Sequence, residues 1–294
     1  MFIKAIEEAT RYTRPLHTIA RTYGGLISSG SSTFFFVNED GVAITCKHVL
    51  NLVLQADAIN THYNHFKSDL SKLAKDSKYM NNLKGLEMKY NLKKETTIQV
   101  KNNFVNSVAP VTSMLYHAHP TLDLAIIIFQ GFTEKLYDSY ATFVNDPIKI
   151  KQGRYLCRLG YPFPEFNNFK HNEQTDDIEW TNTGIQSSPT FPLDGIITRF
   201  VADGQGQIVA TELSTPGLKG QSGGPLFDQD GLVYGMQYGT HHLHLGFDIK
   251  DKEVINDGKK SKVSNSPFLH VGHCIHVDRI KDFLTQHNIK FYQR

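Results

Sequence analysis

The sequence is notable first for what it lacks. No stretch is long and apolar enough to span a bilayer as a helix. Cysteine is scarce: Cys46, Cys157 and Cys274 are scattered and odd in number, with neither a metal-ligand spacing nor a disulfide framework, which fits a reducing compartment. Charge of one sign is lacking too. The 31 Lys and Arg against 29 Asp and Glu leave a net +2, so nothing in the balance suggests bulk attraction to nucleic acid or to a membrane surface. The opening "MFIKAIEEATRY" places Glu7 and Glu8 where a secretory leader needs an apolar run, and it reads as a short amphipathic helix. A soluble, cytoplasmic protein is expected. No internal repeat is visible. With 40% hydrophobic and 20% charged residues, the 294-residue chain can build a sizeable core as one large β domain or two smaller ones.

The dominant pattern is β. "STFFFV" and "VAITC" flank the turn "NEDG", and "TTIQV", "VTSMLYHA", "LDLAIIIF", "RYLCRLGYP", "DGIITRF", "GQIVATEL", "PLFD" and "GLVYGMQYG" continue a series of short strands broken by Gly, Asp, Asn and Pro. Many short strands without βαβ alternation predict a sandwich or barrel. Residues 56–95 interrupt the series. Phe66, Leu70 and Leu73, then Leu83, Leu86 and Tyr90, fall at helical spacing. Between Lys67 and Glu95 there are eight Lys against four Asp or Glu, so this helical insertion is basic. It is expected to be a solvated helical hairpin, or else a docking surface for an acidic partner. Residues 250–267 read as a polar, mobile loop. In "HVDRIKDFLTQHNI", Val277, Ile280 and Leu284 share a face, predicting a C-terminal helix over 276–290.

The chemistry centres on "GLKGQSGGPLFD", where Ser222 lies between glycines and before a proline. Such freedom suits a turn, and it equally suits a backbone that must approach a substrate and aim N–H groups at one point. A serine hydroxyl needs a base, usually a histidine oriented by a carboxylate. "AITCKHVL" places His48 where a strand hands over to a loop or short helix. "HPTLDLAIIIF" places Asp123 at the mouth of a buried strand, where an unpaired carboxylate would be costly. Gly220-Gln221-Ser222-Gly223-Gly224 also satisfies G-x-S-x-G, with Asp248 and His270 following in the order of α/β-hydrolases. That elbow needs a helix directly after the serine, and "GGPLFD" is a poor helix start.

Taken together, "SSGSSTFFFV", "ITCKHVL", "LDLAIIIF", "GQSGGPLFDQDGLVYGM" and "FLHVGHCIHVDRIKDFL" resemble a trypsin-like serine protease, closest to the HtrA/Deg-type protease domain. The resemblance spans residues 16–290 outside the helical insertion. It implies an all-β fold of two six-stranded antiparallel β-barrels, about 13–145 and 146–275, in one protease domain. It implies Ser222 as nucleophile, His48 as general base and then acid, Asp123 as orienter of His48, and the Gly220 and Ser222 N–H groups as an oxyanion hole. The expected function is that of a regulated intracellular serine endopeptidase on protein or peptide substrates. The alternative is a latent or inactive binding module that depends on a regulatory protein partner.

Three departures qualify the likeness. The residue before the serine, an aspartate in the digestive enzymes, is Gln221, so activation by a freshly cut N-terminus is not expected. The stretch from His48 to Asp123 is long because the insertion lies within it. The residues after Ser222 are expected to complete the second barrel and the terminal helix, and no PDZ domain is expected. For the specificity pocket, Pro216 stands where trypsin carries its acid, which argues against strict basic specificity. Tyr238, Gly239, His241 and His242 are further candidates, with His241 or His242 able to donate to an acidic or Gln side chain. His117 and His119 share a strand face without a third ligand; no metal or cofactor is expected. Cys46 is expected to pack rather than react.

Overall fold

In the computed structural model, which describes residues 2–256 and 258–294, the chain from Thr13 onward runs in antiparallel hairpins. The strands Thr13–Thr22, Ile27–Phe36 and Val42–Thr45 follow one another, with Phe35 opposite Ile44. The "NEDG" turn forms because Asn38 Oδ1 accepts the N–H groups of Asp40 and Val42, at 2.9 and 3.3 Å. Three further strands, Thr97–Phe104, Ser113–Ala118 and Ala125–Gln130, complete a six-stranded sheet with Thr97–Phe104 at one end and Ser113–Ala118 at the other. Phe34, Phe36, Phe104, Phe129 and Tyr137 fill its concave side, with the Phe36 and Tyr137 rings stacked at 3.6 Å.

The second sheet is a ring. Tyr155–Arg158, Leu193–Ala202, Ile208–Leu213, Phe268–His276, Leu232–His244 and Pro225–Phe227 pair in that order, and Pro225–Phe227 pairs back to Tyr155–Arg158. Two short strands, Thr142–Phe143 and Tyr292–Gln293, add in parallel to its side. The six-stranded ring meets the expectation for the second half. The first half differs from a closed barrel: among the described residues no ladder joins its two end strands. The fold is nonetheless mostly β, with a C-terminal helix, and one buried core runs through both halves.

Among the described residues, four α-helices flank the sheets: α1 (Ile3–Tyr12), α2 (Lys47–Ser71), α3 (Tyr79–Lys89) and α4 (Val277–Gln286). The expected N-terminal helix is α1, which buries Ala5, Ala9 and Tyr12. The expected C-terminal helix is α4, shorter than 276–290; it buries Val277, Ile280 and Leu284 as the periodicity indicated, and Phe283 with them. The helical insertion requires a correction. Its first helix starts at Lys47, nine residues before 56, so His48 lies in the first turn of a 25-residue helix and not in a loop or short helix. Val49, Leu50 and Ala56 put an apolar stripe on the sheet side of this helix, continuous with the later Tyr63 and Phe66. The residues singled out in the insertion do pack together: Phe66 and Leu86 are buried with Tyr63, and Leu70, Leu73, Leu83 and Tyr90 lie against them.

Residues 250–267 also depart from expectation. They form a two-stranded antiparallel ribbon, Ile249–Asn256 with Lys259–Asn265, in place of a loop. Backbone pairing and a turn glycine, Gly258 at φ +75°, suffice for a ribbon with little apolar alternation. The ribbon prolongs the long hairpin of Leu232–His244 and Phe268–His276.

His17 is fully buried in the Thr13–Thr22 strand, stacked on Phe166 at 3.9 Å with Nε2 at 2.9 Å from Ser188 Oγ. Burial pulls its pKa down to about 4. The folded chain therefore holds it neutral while the unfolded chain takes up a proton below about 6.5. Its neutral burial is free above that value and costs increasingly as pH falls, about 3 kcal/mol by pH 4. Urea unfolding of wild type and His17→Gln is expected to show a steeper loss of stability between pH 6.5 and 4 in the wild type. Parallel pH profiles would contradict this.

Candidate active site

His48, Asp123 and the segment around Ser222 come from three parts of the chain. The helix α2 needs acceptors for its first N–H groups, yet the Cys46 side chain at its N-cap accepts none of them and no acid lies in its first turn. Asp123 supplies them from across the sheet. Its Oδ1 accepts the His48 backbone N–H at 2.9 Å, and its Oδ2 lies 2.6 Å from His48 Nδ1. The loop that carries Asp123 is tied to the same helix end, because Lys47 Nζ donates to the carbonyls of His119 and Pro120 at 2.8 and 3.1 Å. Partial burial pushes the Asp123 carboxyl up, but the His48 hydrogen bonds outweigh it, and the net position is below the usual carboxylate range. An ionised carboxylate only accepts, so Nδ1 carries the proton and Nε2 is left as an acceptor.

The Ser222 loop is held from both halves. Leu218 to Gln221 form a β-turn closed by Gln221 N–H to Leu218 O at 3.0 Å, with Gly220 at φ +98° in its third position. Positive φ there defines a type II turn, which glycine accepts without strain. A Cβ at Gly220 would also press on Tyr161 O at 2.6 Å. Thr33 is the anchor: its Oγ1 donates to Gly220 O at 2.7 Å, its N–H donates to Ser222 O at 3.0 Å, and its carbonyl accepts from Thr45 Oγ1 at 2.7 Å. Gln221 is fully buried; its Oε1 accepts the Leu218 N–H and its Nε2 donates to Phe191 O, both at 3.0 Å. Among the described residues, the N–H groups of Gly220 and Ser222 have no protein acceptor.

Ser222 lies where two clefts meet. One, of about 520 Å³, contains His48, Leu52, Gly220 and the serine-rich edge Ser28–Ser32. The other, of about 430 Å³, runs between the walls Pro216–Lys219 and Gln237–Thr240, with His242 and His270 at its far side. His48 and Ser222 thus share a cleft, though among the described residues no hydrogen bond joins Ser222 Oγ to the ring. Of the pocket candidates, Pro216, Gly239 and His242 line the second cleft. Tyr238 and His241 point elsewhere: the strand register shifts between Gln237 and Gly239, at Tyr238, and beyond that bulge His241 alternates with Thr240 and His242. Tyr238 Oη meets His273 Nδ1 at 3.2 Å, and the His241 ring packs on His273. His270, set aside in the sequence as a hydrolase partner, lines the cleft and sits 2.6 Å from His242, Nδ1 to Nδ1. Asp248 bonds His244 instead at 3.0 Å, and Ser222 leads into the strand Pro225–Phe227 with no helix after it, so the hydrolase arrangement is absent.

Thr33, Gln237 and Arg158 were not legible as site residues. Each acts through a contact across 79 or more positions of sequence: Thr33 on Gly220, and Arg158 on Gln237. A signal existed for Arg158, a charge inside the otherwise apolar run "YLCRLGY". Cys46 packs as expected, buried, donating to Gln237 O at 3.4 Å, its thiol pKa pushed up by burial. Two sets of side chains bring three ligand-type atoms within 4.8 Å of one another: Cys46, His48 and Asp123, and Glu212, His241 and His273. The second escaped the sequence reading because Glu212 lies on a neighbouring strand. Its carboxylate is already engaged by Arg199 at 2.8 Å.

The glycine after the serine tests the packing of this loop. Gly223 has φ +90°, and a Cβ there would overlap Thr33 O and Thr45 Oγ1. Gly231 has a comparable φ of +77° with open space around it. Gly231→Ala should cost about 1–2 kcal/mol in chemical unfolding, the left-handed backbone cost alone. Gly223→Ala should cost at least twice as much, and equal losses would show that the close approach to Thr33 is unimportant.

A family model described as a trypsin-like peptidase domain matches residues 30–236. A comparison with curated proteins finds no match. Among solved structures, the Rv3671c protease from M. tuberculosis in its active form is similar, with 12% identity, 98% of this chain and 86% of that chain covered, and a TM-score of 0.48. The HtrA-type protease AlgW with a decapeptide shows 11% identity over 98% of this chain and 68% of its own, with a TM-score of 0.47. AlgW with a tripeptide shows 12% identity over 97% of this chain and 63% of its own, at 0.45. The matched span takes in His48, Asp123 and Ser222 and most of the chain, and the protein therefore belongs to the trypsin-like peptidase domain family.

Proposed function

We propose that the protein is a serine endopeptidase that cleaves protein or peptide substrates through an acyl-enzyme on Ser222. The observation that carries this reading is the His48–Asp123 pair at 2.6 Å, with the imidazole and Ser222 in one cleft. In the reaction, His48 Nε2 takes the Ser222 proton as Oγ attacks the scissile carbonyl. Asp123 holds the ring and stabilises the imidazolium that forms. The N–H groups of Gly220 and Ser222 receive the oxyanion, each donor worth about 3 kcal/mol in enzymes where one has been removed. His48 then returns the proton to the leaving amine, and water repeats the sequence to release the acyl group.

Gln221 supports a site formed without N-terminal cleavage. It is a neutral amide whose two bonds to Leu218 and Phe191 already fix the loop. Restraint in the cell then falls to substrate selection or to a regulatory partner. A second reading, a latent module, is favoured by one observation: Ser222 has no hydrogen bond to His48 in this state. Such bonds are often long in unliganded peptidases and tighten with substrate.

A fluorophosphonate probe separates the two. The wild type should be labelled at Ser222, and Ser222→Ala and His48→Ala should not. Asp123→Asn should label on the order of 10⁴-fold more slowly, because the amide can still accept the His48 backbone N–H but donates to Nδ1 and so imposes the wrong ring tautomer. A folded wild type that takes up no probe would establish the latent module.

A further inference from the structure

The cleft between Pro216–Lys219 and Gln237–Thr240 has a buried cation bonded to both of its walls. Arg158, on the strand Tyr155–Arg158, is fully buried beneath it. Its Nη1 donates to Gln237 Oε1 at 2.8 Å on one wall, and its Nη2 donates to Thr215 O, Thr215 Oγ1 and Pro216 O, each at 2.7 Å, on the other. Gly272 passes directly over the guanidinium, and a Cβ there would overlap Nη1. Every one of these acceptors is neutral. Among the described residues no carboxylate pairs with Arg158, and its Nε is buried without any partner. Burial lowers its pKa, yet a guanidinium stays charged in proteins. A full positive charge thus sits under the cleft with only carbonyl and amide dipoles to offset it. A buried charge in that position is normally paired.

Lys219 adds charge of the same sign on one side. On the other, His242 and His270 face each other across two paired strands and offer ring N–H donors. Thr240 Oγ1 bonds Gly217 O at 2.7 Å and fixes the two walls to each other. Among the described residues no Asp or Glu lines the cleft. Its volume of about 430 Å³ holds a medium-sized side chain.

We infer that this cleft receives an acidic side chain, glutamate or aspartate, at the residue whose carbonyl Ser222 attacks. The His242–His270 pair and Lys219 are the groups placed to contact the carboxylate. Arg158 is a positioning residue: its unpaired charge favours an anion above it and disfavours a cation, while its bonds hold both walls. The inference rests on the reading of Ser222 as nucleophile, and it specifies what that nucleophile selects.

The test has two arms. In the first, wild type, His242→Ala and His270→Ala are given peptides that differ only at the residue before the scissile bond: Glu, Asp, Gln, Leu or Lys. Wild-type cleavage after Glu or Asp should exceed that after Gln and Lys by on the order of 100-fold, and each variant should lose about tenfold of that preference while still taking up the fluorophosphonate. Equal or better cleavage after Gln, Leu or Lys overturns the inference and leaves the nucleophile standing. In the second arm, product peptides ending in Glu, Gln or Lys are titrated against Ser222→Ala by fluorescence anisotropy, which needs no turnover. Tighter binding of the Glu peptide, weakened by adding His242→Ala, supports the inference even if no peptide is cleaved. Equal binding of the three overturns it. Arg158→Met should reduce the preference in both arms; if it does not fold, the two histidine variants decide.

Discussion

A helix of 25 residues begins at Lys47 with bare N–H groups, and the oxygen that satisfies one of them comes from Asp123, far along the chain. That carboxylate answers two needs at once. It places negative charge at the positive end of the helix, where it is favoured, and it accepts the Nδ1–H hydrogen bond of an imidazole in the same first turn. The position of His48 is thus set by backbone requirements as much as by its own side-chain bond. The strands Val42–Thr45 and Ala125–Gln130 are paired neighbours, with Thr45 opposite Ala125, so the sheet register delivers the two ends to each other. Lys47 closes the remaining freedom by fastening the His119–Pro120 turn.

The serine side depends on a different kind of constraint. Ser222 sits on a loop of the second half, but its geometry is dictated by Thr33 of the first. Threonine there supplies a hydroxyl, an amide and a carbonyl, and all three are used. Gln221 turns inward beneath and links the loop to Phe191. In relatives with aspartate at this position the loop waits for an ammonium partner. An amide can donate and accept within one chain and needs no counter-charge.

The motif residues were legible because their chemistry is local: a serine among glycines, a histidine after a strand, an aspartate before an apolar one. Strand periodicity and turn residues likewise disclosed the β architecture, and helical spacing disclosed the cores of α1, α4 and the insertion. What stayed hidden depended on partners remote in sequence. Nothing in "ITCKHVL" says that helix begins at Lys47, since its capping oxygen lies on Asp123. The ribbon over Ile249–Asn265 has too little apolar alternation to separate it from a polar loop. Strand alternation could have divided His242 from His241, but only the ring of six strands decides which face meets the cleft. Arg158 was visible as a charge in an apolar run, while its lack of a carboxylate partner is a property of the assembled walls.

The length of α2 has a mechanical consequence. Rising about 1.5 Å per residue, it carries Tyr63 some 22 Å beyond His48. There Tyr63 Oη donates to Asp176 Oδ2 at 2.6 Å, in the turn between the strands Phe169–Asn172 and Asp177–Trp180, and Arg21 pairs with the same carboxylate at 2.7 Å. About one turn before Tyr63, Asn60 exchanges two hydrogen bonds with Val100 and pins the shaft to the first sheet. One rigid rod therefore begins at the imidazole and ends on a hairpin that follows the first strand of the ring. It is a strut braced across both halves of the molecule, so that shearing one half against the other would load the histidine directly.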